Sequence, residues 1–275
     1  MTNPPSAASH IWQLAQFELS KRFKSRSGII ALIAFILVWS ILLVFPIKEA
    51  SNIIMQPSFK EFIASLFGPN TLNELFNWQV AEFAMFWVAA LYLFPLFSIF
   101  ISADQFSSDR NRGTLRFISL RVSRSSLFFG RFIGQVFIQA ILIVITLIAT
   151  IMLAISREAD LLLPAIYTAS IVFINLLIVV LPYTATMALI SLIANSARQA
   201  SIFAIILWIV ISLLITLIST QFPSFELISY LLPGSQLSSM VNTQGFTSLA
   251  FAPIPIIQTL IILFTGMLVM QRSAL

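Results

Sequence analysis

This sequence predicts an all-α polytopic membrane protein with six transmembrane helices, an N-terminal interfacial amphipathic helix, and N- and C-termini both cytoplasmic. Three observations predict it. Of 275 residues, 59% are hydrophobic and 9% charged, with a mean hydropathy of +0.99, whereas a soluble domain carries about 25% charged residues. Six apolar runs approach the roughly 20 residues that cross a bilayer. Basic residues divide twelve against three between the two sides of the resulting topology, which assigns the richer side to the cytoplasm.

The elements follow in order. Within segment 1–27, Trp12, Ala15, Leu19 and Phe23 share one helical face while Lys21 and Lys24 fall elsewhere. That is the pattern of an interfacial helix; the plainer reading is a charged stop that only fixes topology. Spans are expected at 28–47, 83–102, 132–155, 163–193, 201–218 and 254–270. The fourth is too long for one upright span and too short for two with a loop, which suggests a tilted helix kinked at Pro182; a division there would make seven. Loop 103–131 is cytoplasmic, and 48–82 and 219–253 are outer loops. The first outer loop holds a helical stretch around Ser58–Phe67 and a Gly68-Pro69-Asn70 turn. The second holds the apolar Phe225–Leu232, too short to span and suited to re-entering the bilayer or lying at its interface. The whole chain, 1–275, reads as a single transmembrane domain.

The charge count rests on named residues. Lys21, Arg22, Lys24, Arg26, Arg110, Arg112, Arg116, Arg121, Arg124, Arg131, Arg198 and Arg272 fall on the inner side; Lys48, Lys60 and Arg157 fall outside. This asymmetry accounts for a pI near 10.0 without nucleic acid as a partner. The lipid bilayer is the partner it implies.

Several chemistries are excluded. There is no cysteine, and the one histidine, His10, lies in the polar N-terminal tail. Thiolate, Ser–His and histidine-metal sites inside the membrane are therefore unavailable. No Asp, Glu, Lys, Arg or His lies well inside a span, which weighs against an ion- or proton-coupled secondary carrier and against an intramembrane hydrolase. No G-x-x-x-x-G-K-[ST] phosphate loop occurs, so the chain is not an enzyme on its own account. Any uphill work must draw energy from another chain. Among polar residues within the spans, Gln139, Asn175, Thr184 and Thr186 are candidates either for a translocation path or for interhelical glue.

The stretch 107–130 concentrates five arginines. Asp109 can cap a short helix. Leu115, Ile118 and Val122 then form one apolar face, with Arg112 and Arg116 on a neighbouring edge. Ser123 or Ser125 can cap the next helix, and Gly130 and Gly134 form a small-xxx-small pair that permits close helix approach. The pattern reads as a protein-docking helix or as a basic loop against anionic lipid.

The ordered series Asp109-x-x-x-Gly113-Thr114-Leu115-Arg116-Phe117-Ile118, Val122-Ser123-Arg124 and Leu127-x-x-Gly130-Arg131-x-x-Gly134 resembles the signature loop of exporter-type (type 2) ABC transporter permeases. The six-span layout, the N-terminal helix with Phe17-Glu18 and the outer insertion before the last span are similar too. Three positions depart from that pattern: Arg121 stands where proline is common, Asn111 where a second acid is common, and Arg131 where lysine is usual. The resemblance implies a permease subunit that translocates or flips a substrate across a bacterial or archaeal cytoplasmic membrane. It implies a second permease subunit, in a homodimer or heterodimer, and a dimer of soluble ABC ATPase subunits that bind the ATP and Mg. Gly113–Leu120 would be the coupling helix, and Asn195-Ser196-Ala197-Arg198 a smaller second contact. A non-transporting scaffold or assembly factor would keep the docking loop without transport.

Overall fold

The computed structural model describes residues 7–56, 58–59, 61, 77–221 and 229–272, and among them it is all-α, with no strand. Among the described residues, six helices are long and apolar enough to cross a membrane. The predicted stretches Ser58–Phe67 and Gly68–Asn70, and Phe225 to residue 228, lie largely or wholly outside the described residues.

α1 spans Ala7–Lys24. Ser25 caps α2 (Arg26–Leu42), accepting from the Gly28 N–H at 3.1 Å. The rod does not stop at 47. It widens into a π-turn at Leu43–Ile47 around Pro46 and continues as α3, Lys48–Ile54. Proline removes one N–H and pushes the preceding carbonyl aside, and a wider turn accommodates both. α4 is Ala81–Ile101, and the short α5 (Ser107–Asn111) and α6 (Thr114–Ser119) follow. α7 runs Arg124–Arg157 and is capped by Ser123, whose oxygen accepts from Ser126 N. It begins a full two turns before the expected 132. α8 is a single helix, Leu162–Ile193, with Pro182 inside it, so the fourth apolar run stays undivided. α9 (Ala197–Gln221), α10 (Leu237–Val241) and α11 (Pro253–Arg272) complete the chain.

α8 is the central helix, packed by α4, α7, α9 and α11. α2 and α9 sit at the edge and leave most of their apolar surface uncovered. Phenylalanine and tryptophan join α2 to α4: Trp39 stacks on Phe94 at 5.1 Å, and Phe35 meets Phe97 edge-on at 5.3 Å.

The segment before α10 turns back among the helices. Trp208, near the middle of α9, donates to Pro233 O at 3.3 Å, and Gln258 of α11 donates to Tyr230 O at 2.6 Å. Gly234, at φ 98°, lies against the Tyr183 hydroxyl, leaving no space for a Cβ.

α1 packs along α7, and this is where Gly130 and Gly134 act. A Cβ at Gly130 would sit 2.7 Å from the Leu14 side chain, and one at Gly134 would sit 2.8 Å from Cβ of Glu18. The small-xxx-small pair therefore receives α1, not another span. The stripe expected to face lipid is shared out accordingly. Ala15 is buried, Leu19 and Phe23 pack partly on the core, and Trp12 stays exposed with its ring edge-on to Phe137.

Candidate functional site

One end of the bundle gathers the C-termini of α4, α8 and α11 together with the loop that holds α5 and α6. A helix C-terminus leaves carbonyls without intrahelical donors and carries a partial negative charge. Arginines answer each one. Arg22 donates to Ile101 O at 2.6 Å. Arg110 donates to Leu192 O. Arg124 reaches Gln271 O at 2.7 Å and Met270 O at 3.3 Å. Much of the basic cluster that reads in sequence as a topology signal is thus a set of helix caps. Arg112, Arg116 and Arg121 are exposed and carry no such bond.

Arg131 is the hub of this end. It is 2% exposed, although it stands among Phe129, Phe132 and other apolar neighbours. It donates to Gln105 O and to the Asp109 carboxylate, its Nε lies 3.6 Å from the Glu18 carboxylate, and its guanidinium covers the Phe106 ring at 5.2 Å. Three parts of the chain are therefore tied through one side chain: α1 by Glu18, α5 by Asp109, and the turn between α4 and α5 by Gln105. Burial pushes the Glu18 carboxyl up, and Arg131 offsets only part of that, so its pKa stays raised. Burial also pushes Asp109 up, but the Arg131 charge and hydrogen bond, with Lys21 and Thr114, outweigh it and hold that carboxyl low.

Asp109 was expected to cap a helix. It lies inside α5 instead and braces the next turn: Thr114 Oγ1 donates to its carboxylate at 3.0 Å and lies 3.1 Å from its carbonyl. Between them Gly113 adopts φ 70°, ψ 6° and starts α6. That left-handed conformation is what a residue with no Cβ supplies at little cost.

The docking ridge expected from Leu115, Ile118 and Val122 faces the other way. Leu115 is 2% exposed and packs with Phe106, Leu127 and Phe128; Ile118 packs against the same cluster, and Val122 is half-buried. The i, i+3, i+7 pattern is real, but the body of the protein covers it. The outward face is Arg116 and Phe117, followed by Leu120 and Arg121; Phe117 is 71% and Leu120 83% exposed. The Asn195–Ser196 loop and Arg198 are exposed nearby, joined to α5 through the Arg110 bond to Leu192.

The candidate path residues do not form one site. Gln139 donates to Thr184 Oγ1 at 2.7 Å and Ser102 Oγ at 3.3 Å, and Ser98 Oγ lies 3.1 Å from the same threonine. This knot holds α4, α7 and α8 together. Thr186 bonds back to Pro182 O, and Asn175 donates to Ile171 O and, at 2.9 Å, to Ser248 Oγ, nine residues from Thr184 and about 13 Å along the axis. Sequence reasoning passed over Glu18 and Arg131 as a pair. The available signal was an acid in a basic N-terminal segment and an arginine among phenylalanines, each needing a partner.

A family model described as ABC-2 family transporter protein matches residues 12–270. No curated protein matches the chain.

Proposed function

Because the chain belongs to the ABC-2 transporter family, we propose that it is the membrane permease subunit through which a separate ATPase moves or flips a substrate. The arginine-rich end faces the cytoplasm, as do both termini, and α1 lies in the inner interface. The membrane is a bacterial or archaeal cytoplasmic membrane. Two permease chains pair, and two soluble ATPase subunits carrying ATP and Mg dock beneath them. The cargo crosses on a path formed with the second chain; the buried knot of Gln139 and Thr184 supports a structural role for those two residues.

One observation carries the reading. A short helix, α6, exposes Arg116 and Phe117 while its inner face and its N-terminal turn are anchored through Leu115, Asp109 and Arg131. A contact of that form transmits force in both directions. Push Phe117, and the load passes through the Asp109–Arg131–Glu18 chain into α7 and α1 together.

The test uses Phe117→Asp with Leu120→Asp. Both side chains point outward, so membrane insertion and melting should be unchanged while the co-purifying ATPase is lost. Retention of the ATPase by the double variant would overturn the docking face. Orientation is checked separately. The sequence has no cysteine, so Arg112→Cys should react with an impermeant maleimide only in inside-out vesicles.

A further inference from the structure

A groove runs along the flank of α2 that faces the bundle, with α2 on one side and α4 and α7 on the other. Gly28, Ala31, Phe35 and Val38 lie along the α2 wall, at the spacing of one helical face. Phe97 and Phe100 of α4, with Ile138 and Leu142 of α7, form the other wall. The opposite face of α2, with Ile30, Ile33 and Leu37, is exposed. A second permease chain would cover that face and leave the groove as it is.

The length of the groove is informative. Gly28 to Val38 is about 15 Å along the helix, half of the roughly 30 Å hydrocarbon core of a bilayer. Its volume of about 310 Å³, spread over that length, leaves the width of a single hydrocarbon chain. The far end is closed. Just beyond Val38, the Trp39 ring stacks on Phe94 and packs on Phe86 at 5.3 Å. A chain can lie in the groove, but it cannot pass through to the other leaflet.

The near end is charged. The apolar grooves beside α8 and α11 have no charged residue in their described walls, whereas this one ends on Arg22. Arg22 spends one guanidinium nitrogen on Ile101 O, and the fork has further donors. α1 and α2 meet so tightly here that Gly28 has no space for a Cβ against Arg22 O, which fixes the arginine at the mouth. Lys24 and Arg26 are exposed at the same corner, and no acidic residue stands between Glu18 and Glu49 in the chain.

We infer that this groove holds one acyl chain of an anionic phospholipid, whose phosphate rests on Arg22, Lys24 and Arg26. A phosphate accepts from an arginine fork in a short, charge-assisted contact, and basic residues beside a membrane favour anionic headgroups. A choline or ethanolamine headgroup would bring a further cation to three cations. The lipid is resident and not cargo, because the closed far end gives it no route across. It ties the corner between α1 and α2 to α4 and α7. The inference does not rest on ATP-driven transport, because the groove's described walls belong to one chain.

The test is native mass spectrometry of the delipidated full chain in detergent. The probes are phosphatidylglycerol and phosphatidylcholine with matched acyl chains, oleate, and glycerol 3-phosphate. One saturable equivalent of phosphatidylglycerol per chain, preferred over phosphatidylcholine, is expected. Lys24→Gln with Arg26→Gln keeps the Arg22 bond to Ile101 and should weaken that binding about fivefold for each cation removed, the equivalent of about 1 kcal/mol apiece. Ala31→Phe with Ala34→Phe fills the groove from two exposed positions. It should abolish retention of phosphatidylglycerol while the lipid-free protein melts as the parent does. Equal retention of phosphatidylglycerol and phosphatidylcholine, full competition by glycerol 3-phosphate, tighter binding of oleate, or binding unmoved by either double variant overturns the inference.

Discussion

Replacing Arg131 by methionine should unseat three parts of the chain at once. Methionine keeps the length and apolar contacts of the stem but removes the charge that Glu18 and Asp109 share and the donor that Gln105 O uses. Removing one partner of a buried ion pair costs about 3–5 kcal/mol, because the other charge stays buried and unpaired. Asp109 keeps 18% of its side chain in contact with solvent, which places the loss near about 3 kcal/mol. For a protein of this size, each 1 kcal/mol moves the melting temperature by about 2–4 °C, so the shift should be about 6–12 °C. Thermal melting of the detergent-purified protein, followed by size-exclusion fluorescence, measures it. The second arm is decisive. Adding Glu18→Gln and Asp109→Asn to Arg131→Met removes the stranded charges, so more than half the loss should return despite three substitutions. If Arg131→Met melts within about 2 °C of the parent, or the triple variant recovers nothing, the hub is not what holds α1 and α5 to α7.

Three further outcomes follow from the same end of the molecule. A Cβ at Gly113 would meet nothing within 4 Å, so the main cost of Gly113→Val is the left-handed backbone, about 1–2 kcal/mol. It should lower melting slightly and uncouple ATP hydrolysis from transport, and normal transport by that variant counts against the turn's role. Gly134→Leu drives a side chain into Glu18 and Ala15 and should cost about 1–3 kcal/mol, with α1 becoming sensitive to limited proteolysis; an α1 that stays protected refutes the docking. Acidification should act in two opposite limbs. The raised Glu18 pKa makes a contribution that is complete below about 4.5 and lost as pH rises through its folded value, whereas the lowered Asp109 pKa makes one present above about 3.8 and lost as pH falls through its folded value. Glu18→Gln should flatten the upper limb and Asp109→Asn the lower, both read from melting temperature against pH.

The span count was legible because it depends on run length and composition, which the bilayer imposes locally. The extent of α7 was not. Arg124 to Arg131 is too polar to look like part of a span, yet Ser123 caps it and the helix continues through it. The undivided α8 was left open in sequence because proline argues for a break and length argues against one; neighbours on most sides hold the helix through Pro182. Gly130 and Gly134 announced a close contact without naming its partner, since the glycines record only the space and α1 is more than a hundred residues away.

Leu115, Ile118 and Val122 mark the same boundary most clearly. Periodicity identifies an apolar face but does not say whether a partner or the protein's own body covers it. By itself the sequence determined the membrane class, the six spans, the family-like loop and the side on which charge gathers, because each follows from local composition. Only the tertiary structure decided that four arginines cap carbonyls or bind buried acids, that Phe117 and Leu120 face outward, and that α1 fills the glycine notch. Those facts depend on which distant backbone groups come within about 3 Å of a given side chain, the range over which a hydrogen bond acts.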